Sequence, residues 1–331
     1  MTNKPMSRIY DKISKAGFNT AFINKLLPSW WDDGLADTPS GRQYASLHLA
    51  RVFSLSPESL KDSSDAACFN LGGNHRFKHR VNLGEEDLNV ATAIAYSAAR
   101  IVAENFRIPF NQDLKLSWQT IRQDLLKAKC WVDLPTLVQF CHSVGIPVVY
   151  IKNFPKGAAK MAGLALSISG RPVIVLSQVK THGYMLFDLA HELGHIAMGH
   201  LNDQNGGVHV DRKIEAQSTD NLEVEANRFA FGLVGGKETL RIAPTRGYLT
   251  GPRLADAALS YGKEHGIEPT HVALNYGHNL GHWGVAVNAV KIICSGQPSD
   301  QIVVNKLMMS ALDEETINEN DLEILTALCG G

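Results

Sequence analysis

Apolar residues recur every three to four positions along most of the chain, and only in the middle do they run together in β-branched stretches. The longest helical pattern spans residues 85–106, with Leu88, Ala91, Ile94, Ala95, Ala98, Ile101 and Val102 on one side. Ahead of it, residues 21–27 form a short periodic stretch stopped by Pro28-Ser29, and Trp30-Trp31-Asp32-Asp33-Gly34 reads as a turn region. Thr38-Pro39-Ser40-Gly41 starts a helix whose expected apolar side is Tyr44, Leu47, Ala50, Val52 and Phe53. Ser56-Pro57-Glu58 opens a last short helix that ends at Leu60. Residues 62–77, rich in Ser, Asn, Gly and Asp, read as a linker. Residues 117–128 and 134–144 predict two further helices.

From Ile146 the period changes. Residues 147–151 are a β-branched run and predict a strand. Residues 164–169 and 173–177 predict two more, joined as a hairpin around Gly170-Arg171-Pro172. Helices are then expected over 184–199 and 221–234, and the remainder from Pro244 is mainly helical. The fold class is therefore α+β, with a small sheet followed by two helices that carry polar residues.

Those two helices hold the chemistry. His191 and His195 are four apart, so both imidazoles leave one face of the helix, a spacing that suits two ligands of one tetrahedral ion. Glu192 flanks that face, where it can hold a water and take its proton. Leu186, Leu189, Ala190, Leu193 and Ala197 form the opposite stripe, which fixes the helix in phase. A catalytic zinc site of this kind needs a third protein ligand and an open position. In the second helix Glu223 and Asn227 share a face, whereas Glu225 lies about 200° round from Glu223. Glu223 is the favoured ligand, and Asn227 a group that orients a ligand histidine. Glu225 reads as an acid favoured by the helix N-terminus.

The sequence His191-Glu192-Leu193-Gly194-His195-Ile196-Ala197-Met198-Gly199-His200, followed by Glu223-Val224-Glu225-Ala226-Asn227-Arg228-Phe229-Ala230, resembles the ImmA/IrrE family of metallopeptidases. The site of that family is similar to that of the gluzincins, in which a glutamate four residues before an Asp or Asn is the third ligand. The resemblance implies Glu223 for that role. It extends over residues 118–233, with Gly145-Ile146-Pro147-Val148 leading into the first strand and Phe187 preceding the motif. Asp188 departs from the family, which commonly has Thr there. Residues 23–60 are similar to the second half of an Xre-like helix-turn-helix domain, through Ser29-Trp30-Trp31-Asp32-Asp33-Gly34, Thr38-Pro39-Ser40, Leu49-Ala50 and Leu55-Ser56. Lys25 is the only base in the expected recognition segment and Pro28 interrupts it, so DNA binding and protein contact both stay open for this module.

The expected organisation is an Xre-like helical module over 1–65, a linker and helix over 66–112, a zincin-like core over 113–240 and a helical module over 241–331. The expected chemistry is amide hydrolysis assisted by Zn2+, with Glu192 as general base and then proton donor. Tyr184, His182 and His209 are unranked candidates for the oxyanion donor. The resemblance implies regulated proteolysis of a protein substrate, a transcriptional repressor encoded nearby or a similar regulator, in stress response or mobile-element control, with DNA or another nucleic acid as a trigger. The rival class is a DNA-associated regulator whose zinc site is structural or inactive.

Composition narrows the picture only slightly. The net charge of −1 gives no overall bias toward nucleic acid, and the densest basic run, Arg76-Phe77-Lys78-His79-Arg80, reads as a solvated loop. Five scattered cysteines with no C-x-x-C pair argue against a disulfide framework and a cysteine zinc knuckle. With no apolar N-terminal run and no stretch of 18 apolar residues, a cytoplasmic protein without a membrane span is expected.

Overall fold

The computed structural model describes residues 5–61, 67–71, 85–158, 161–180, 182–201, 208–211, 220–244 and 247–330. The side chains of 85–89 and 208–211 are outside the description, as is the basic run at 76–80. The chain forms two compact units, one of Met1–Asn105, Ile151–Met161 and Leu312–Gly331, the other of Phe106–Tyr150 and Ala162–Ala311.

In the first unit, α1 (Pro5–Lys15), α2 (Thr20–Leu26), α3 (Pro39–Phe53), α4 (Pro57–Lys61) and α5 (Glu85–Glu104) are joined by the C-terminal helix Glu319–Cys329. Thr38 caps α3 by accepting from the Gly41 amide, and Pro39 presets its first turn. The phase of α3 differs from the expected one: Tyr44 and Leu47 are 48% and 45% exposed, and Ala45, Ser46, Leu49, Ala50, Val52 and Phe53 face inward. The 33–37 3-10 turn lies close to the start of α3: a Cβ on Gly41 would stand 1.8 Å from the Leu35 carbonyl oxygen, so that approach requires a glycine.

Residues 5–61 and α5 share an interior. Ser54 Oγ donates to the Ala93 carbonyl at 2.8 Å, Val90 packs onto Gly17, and Ile94, Ala98, Ile101 and Val102 are fully buried. Deleting residues 1–65 should therefore expose apolar surface on α5. At about 25 cal/mol per Å² of apolar area, several uncovered side chains cost several kcal/mol. The truncated chain is expected to aggregate or to melt well below the full chain; a monomer with an unchanged Tm would show the 1–65 module to be separable.

The second unit holds a four-stranded sheet of order β1-β3-β2-β4, built from β1 (Val148–Tyr150), β2 (Gly163–Ile168), β3 (Arg171–Leu176) and β4 (Val208–Asp211). β1 is parallel to β3, and the other pairings are antiparallel. The hairpin turn is Ser169-Gly170, one step earlier than expected, with φ of +50° and +83°. Two successive left-handed residues match the twist of a two-residue hairpin. Arg171 and Pro172 are thus strand residues, and Pro172 sits beyond the end of β1, where its missing N–H breaks no ladder bond to that strand. β4 is absent from the expected elements; it places His209, one of the oxyanion candidates, opposite Ala165.

Around the sheet lie α6 (Trp118–Leu126), α7 (Leu134–Ser143), α8 (Tyr184–Ala197), α9 (Asn221–Gly235), α10 (Gly251–His265), α11 (Pro269–Leu280), α12 (Trp283–Ile293) and α13 (Asp300–Ala311). Leu186, Leu189 and Leu193 of α8 pack with Val148, Ile174 and Leu176 of the sheet and with Phe229 and Leu233 of α9. A second cluster centres on Ala258, Ala273, Tyr276 and Ala286 of α10–α12. The buried Arg122 guanidinium ties α9 to α10. It donates to the carbonyls of Leu233 and Val234 at 3.0 and 2.9 Å and to those of His265 and Gly266 at 3.2 and 2.7 Å. A cation at two helix C-termini also meets both helix dipoles favourably. The class is the α+β one expected, a small sheet backing two polar helices. Among the described residues no helix is long and apolar enough to cross a membrane.

Candidate metal centre

α8 is fixed on its apolar back stripe, so its polar residues are buried against α9. His191, Glu192 and His195 are all 0% exposed. Their neighbour Gly194 explains how α9 comes so close. A Cβ there would stand 3.0 Å from the Ala226 carbonyl oxygen and 3.2 Å from Phe229 Cβ, so the glycine and the small Ala226 together set the spacing of the two helices. At that spacing Glu223, in the first turn of α9 behind the N-cap Asp220, reaches the histidine pair.

His191 Nε2 and His195 Nε2 face each other 3.0 Å apart, Glu223 Oε2 lies 3.3 Å from His191 Nε2, and its Oε1 lies 3.7 Å from His195 Nε2. Two imidazole nitrogens and a carboxylate oxygen, all within 4.8 Å of one another, form a donor set suited to a divalent ion. Ligands at 2.0–2.1 Å in a tetrahedron are spaced about 3.3 Å apart, so the observed separations fit such an ion without rearrangement.

The far side of each imidazole is also engaged. Asn227 Oδ1 lies 3.1 Å from His191 Nδ1. An amide oxygen only accepts, so His191 carries its proton on Nδ1 and keeps the Nε2 lone pair for the cluster. His195 Nδ1 lies 2.8 Å from Nδ1 of His200, whose Nε2 is 3.1 Å from Glu225 Oε2. Glu225 reads from sequence only as an N-terminal acid and His200 has no role there, so this pair is new in the structure. The overlooked signal was Gly199, which ends α8 with φ of +73° and turns the next residue back on the helix.

The Glu192 carboxylate lies against the β2 backbone: a Cβ on Gly163 would be 1.9 Å from Glu192 Oε1. Gly163→Ala is therefore expected to push that carboxylate aside. A glutamate tip can swing, so the fold should survive, but a misplacement near 1 Å costs catalysis on the order of 10²-fold. Metal content, melting temperature and activity of Gly163→Ala, taken together, check this. Undiminished activity would mean the carboxylate position is not critical.

Other candidates are engaged elsewhere. Asp188, where the sequence departs from the family, is buried and pairs with Lys180 Nζ at 2.6 Å. His182 Nδ1 is 2.7 Å from Asp300 Oδ1. The Tyr184 hydroxyl is shifted up by burial and, secondarily, by Asp188. His271 is a core residue stacked on Phe187 at 5.8 Å, and burial pushes it down to about 4. The Cys141 thiol is fully buried and shifted up by that burial, so it stays protonated.

Residues 141–250 match the Peptidase M78 family, described as the IrrE N-terminal-like domain. This segment is an ImmA/IrrE-family metallopeptidase domain. It contains the whole sheet, α8 and α9, and hence every residue of the donor cluster. The match supports a peptidase-type activity for this segment, which implies a protein substrate. The match does not extend to the N-terminal helices. No curated protein matches the chain.

Proposed function

We propose that the protein is a zinc endopeptidase in which His191, His195 and Glu223 hold the ion, Glu192 is the general base and Asn227 orients His191. The observation that carries this reading is the way both imidazoles turn Nε2 toward one cluster while their Nδ1 atoms are occupied behind it. When bound, zinc supplies Lewis acidity that polarises a scissile carbonyl and makes water a nucleophile near neutral pH. The residues of the chain do the rest. Glu192, packed against the backbone at Gly163, takes the proton of the attacking water and returns it to the leaving amine. The dry surroundings of α8 and α9 strengthen each electrostatic contact.

The substrate in this reading is a repressor or similar regulator encoded nearby and cut at a specific site in the cytoplasm, with DNA or another nucleic acid as trigger. The support is the family of the core together with helical regions on both sides of it in sequence, which can select a partner away from the scissile bond. The reading of a DNA-associated regulator with a structural zinc is weaker, because a structural site has no use for the fully buried Glu192 beside its ligands. The test incubates the zinc-loaded protein with casein and with the neighbouring repressor, with and without single-stranded DNA. Discrete cleavage of the repressor and little digestion of casein are expected; rapid unselective casein digestion would overturn the substrate assignment.

A further inference from the structure

We infer that His200 is a positioning residue for His195, and that Glu225 anchors it. This rests on the zinc reading above and extends it to two residues outside the ligand set. α8 ends in a tight reversal: the Gly199 amide bonds the Ile196 carbonyl at 3.1 Å and the His200 amide bonds the His195 carbonyl at 2.9 Å. With Gly199 in the left-handed region, this pair of bonds is the Schellman arrangement. Its effect here is specific. It brings the residue five positions after His195 back to lie beside it, with the rings 5.0 Å apart and His200 5% exposed.

Proton placement along the chain follows from the distances. With His195 Nε2 given to the ion, its Nδ1 carries the proton and donates to His200 Nδ1 at 2.8 Å. His200 then bears its own proton on Nε2 and donates to Glu225 Oε2 at 3.1 Å. Glu225 can only accept, so it fixes the tautomer of His200, and His200 in turn fixes that of His195. His191 Nδ1 faces a neutral acceptor, Asn227 Oδ1, whereas behind His195 stands a two-member chain ending in a carboxylate half exposed to solvent. A ligand histidine backed this way is locked in ring angle and made more basic.

The test compares His200→Phe, which keeps a ring in the buried space and removes the acceptor, with His200→Asn, whose Oδ1 can stand near the position of Nδ1. Zinc affinity is measured by competition with a fluorescent chelator, and the Co2+-substituted proteins give the ligand-field spectrum. His200→Phe is expected to weaken zinc about 10–100-fold and to shift the cobalt bands, while His200→Asn stays within a few fold of the parent. Glu225→Gln, which keeps an oxygen acceptor, should fall between them. Equal losses in Phe and Asn would reduce His200 to a packing residue, and a Phe variant with parental affinity would remove the role altogether. Failure of the parent itself to bind zinc would instead overturn the metal-site reading.

Discussion

Replacing Glu192 with glutamine is expected to abolish cleavage while the protein keeps its zinc. Glutamine has nearly the shape of glutamate, so the contact with the β2 backbone at Gly163 and the burial in α8 are both retained. The donor atoms of His191, His195 and Glu223 are untouched. What disappears is the proton acceptor. An amide cannot take a proton from water at neutral pH, and the loss of general acid–base catalysis alone is worth about 10²–10⁴ in rate. Because one group serves in both proton transfers of the proposed scheme, the upper end of that range is expected in kcat, with little change in KM. The measurement is single-turnover cleavage of the partner beside metal analysis of the same preparation. A fully active variant that still holds one zinc would remove Glu192 from the chemistry. An inactive variant without zinc would leave the base unproven and point to a ligand role.

The parts of the site that were legible in sequence are those where a local rule sufficed. His191 and His195 could be paired because the helical period and the apolar stripe of Leu186, Leu189 and Leu193 agree on which way the helix faces. Glu223 and Asn227 could be set on one face by the same period, and both reach the histidine pair in the structure. What could not be read depends on the position of a chain end or on contacts distant in sequence. The role of His200 hangs on α8 stopping at Ala197 with Gly199 reversed, a matter of one residue at a helix boundary, where sequence patterns are weakest. β4 is four residues long, and its pairing with β2 is non-local. Tyr44 and Leu47 look like core to any hydrophobicity pattern, yet α3 turns Ala45, Ser46, Leu49, Val52 and Phe53 inward and leaves those two exposed. His271 is buried because Phe187 covers it, which nothing in its own helix announces.

Glu223→Ala is expected to lose most of the zinc, and Glu225→Ala to keep a full equivalent. The two glutamates are two residues apart on one helix and carry the same charge, but only Glu223 lies in its first turn. Removing Glu223 therefore also costs about 0.3–1 kcal/mol of helix stability, small beside the loss of a metal ligand. Their surroundings differ. Glu223 oxygens lie 3.3 and 3.7 Å from the two Nε2 atoms, while Glu225 is turned toward His200. If a structural zinc site contributes about 10–16 kcal/mol over four ligands, one ligand carries roughly 2.5–4 kcal/mol, or about 10²–10³ in affinity. Removing Glu225 acts only through His200 and His195, and a loss on the order of tenfold or less is expected. Metal content after gel filtration against a chelator, with circular dichroism to verify the helices, separates the two cases. Retention in Glu223→Ala with loss in Glu225→Ala would mean that α9 presents the opposite face to the histidines. Loss in both would mean that the His200–Glu225 pair matters as much as a direct ligand. Glu223→Asp adds a graded test: it keeps the charge but withdraws the oxygens by one methylene, so its affinity should fall between Ala and the parent.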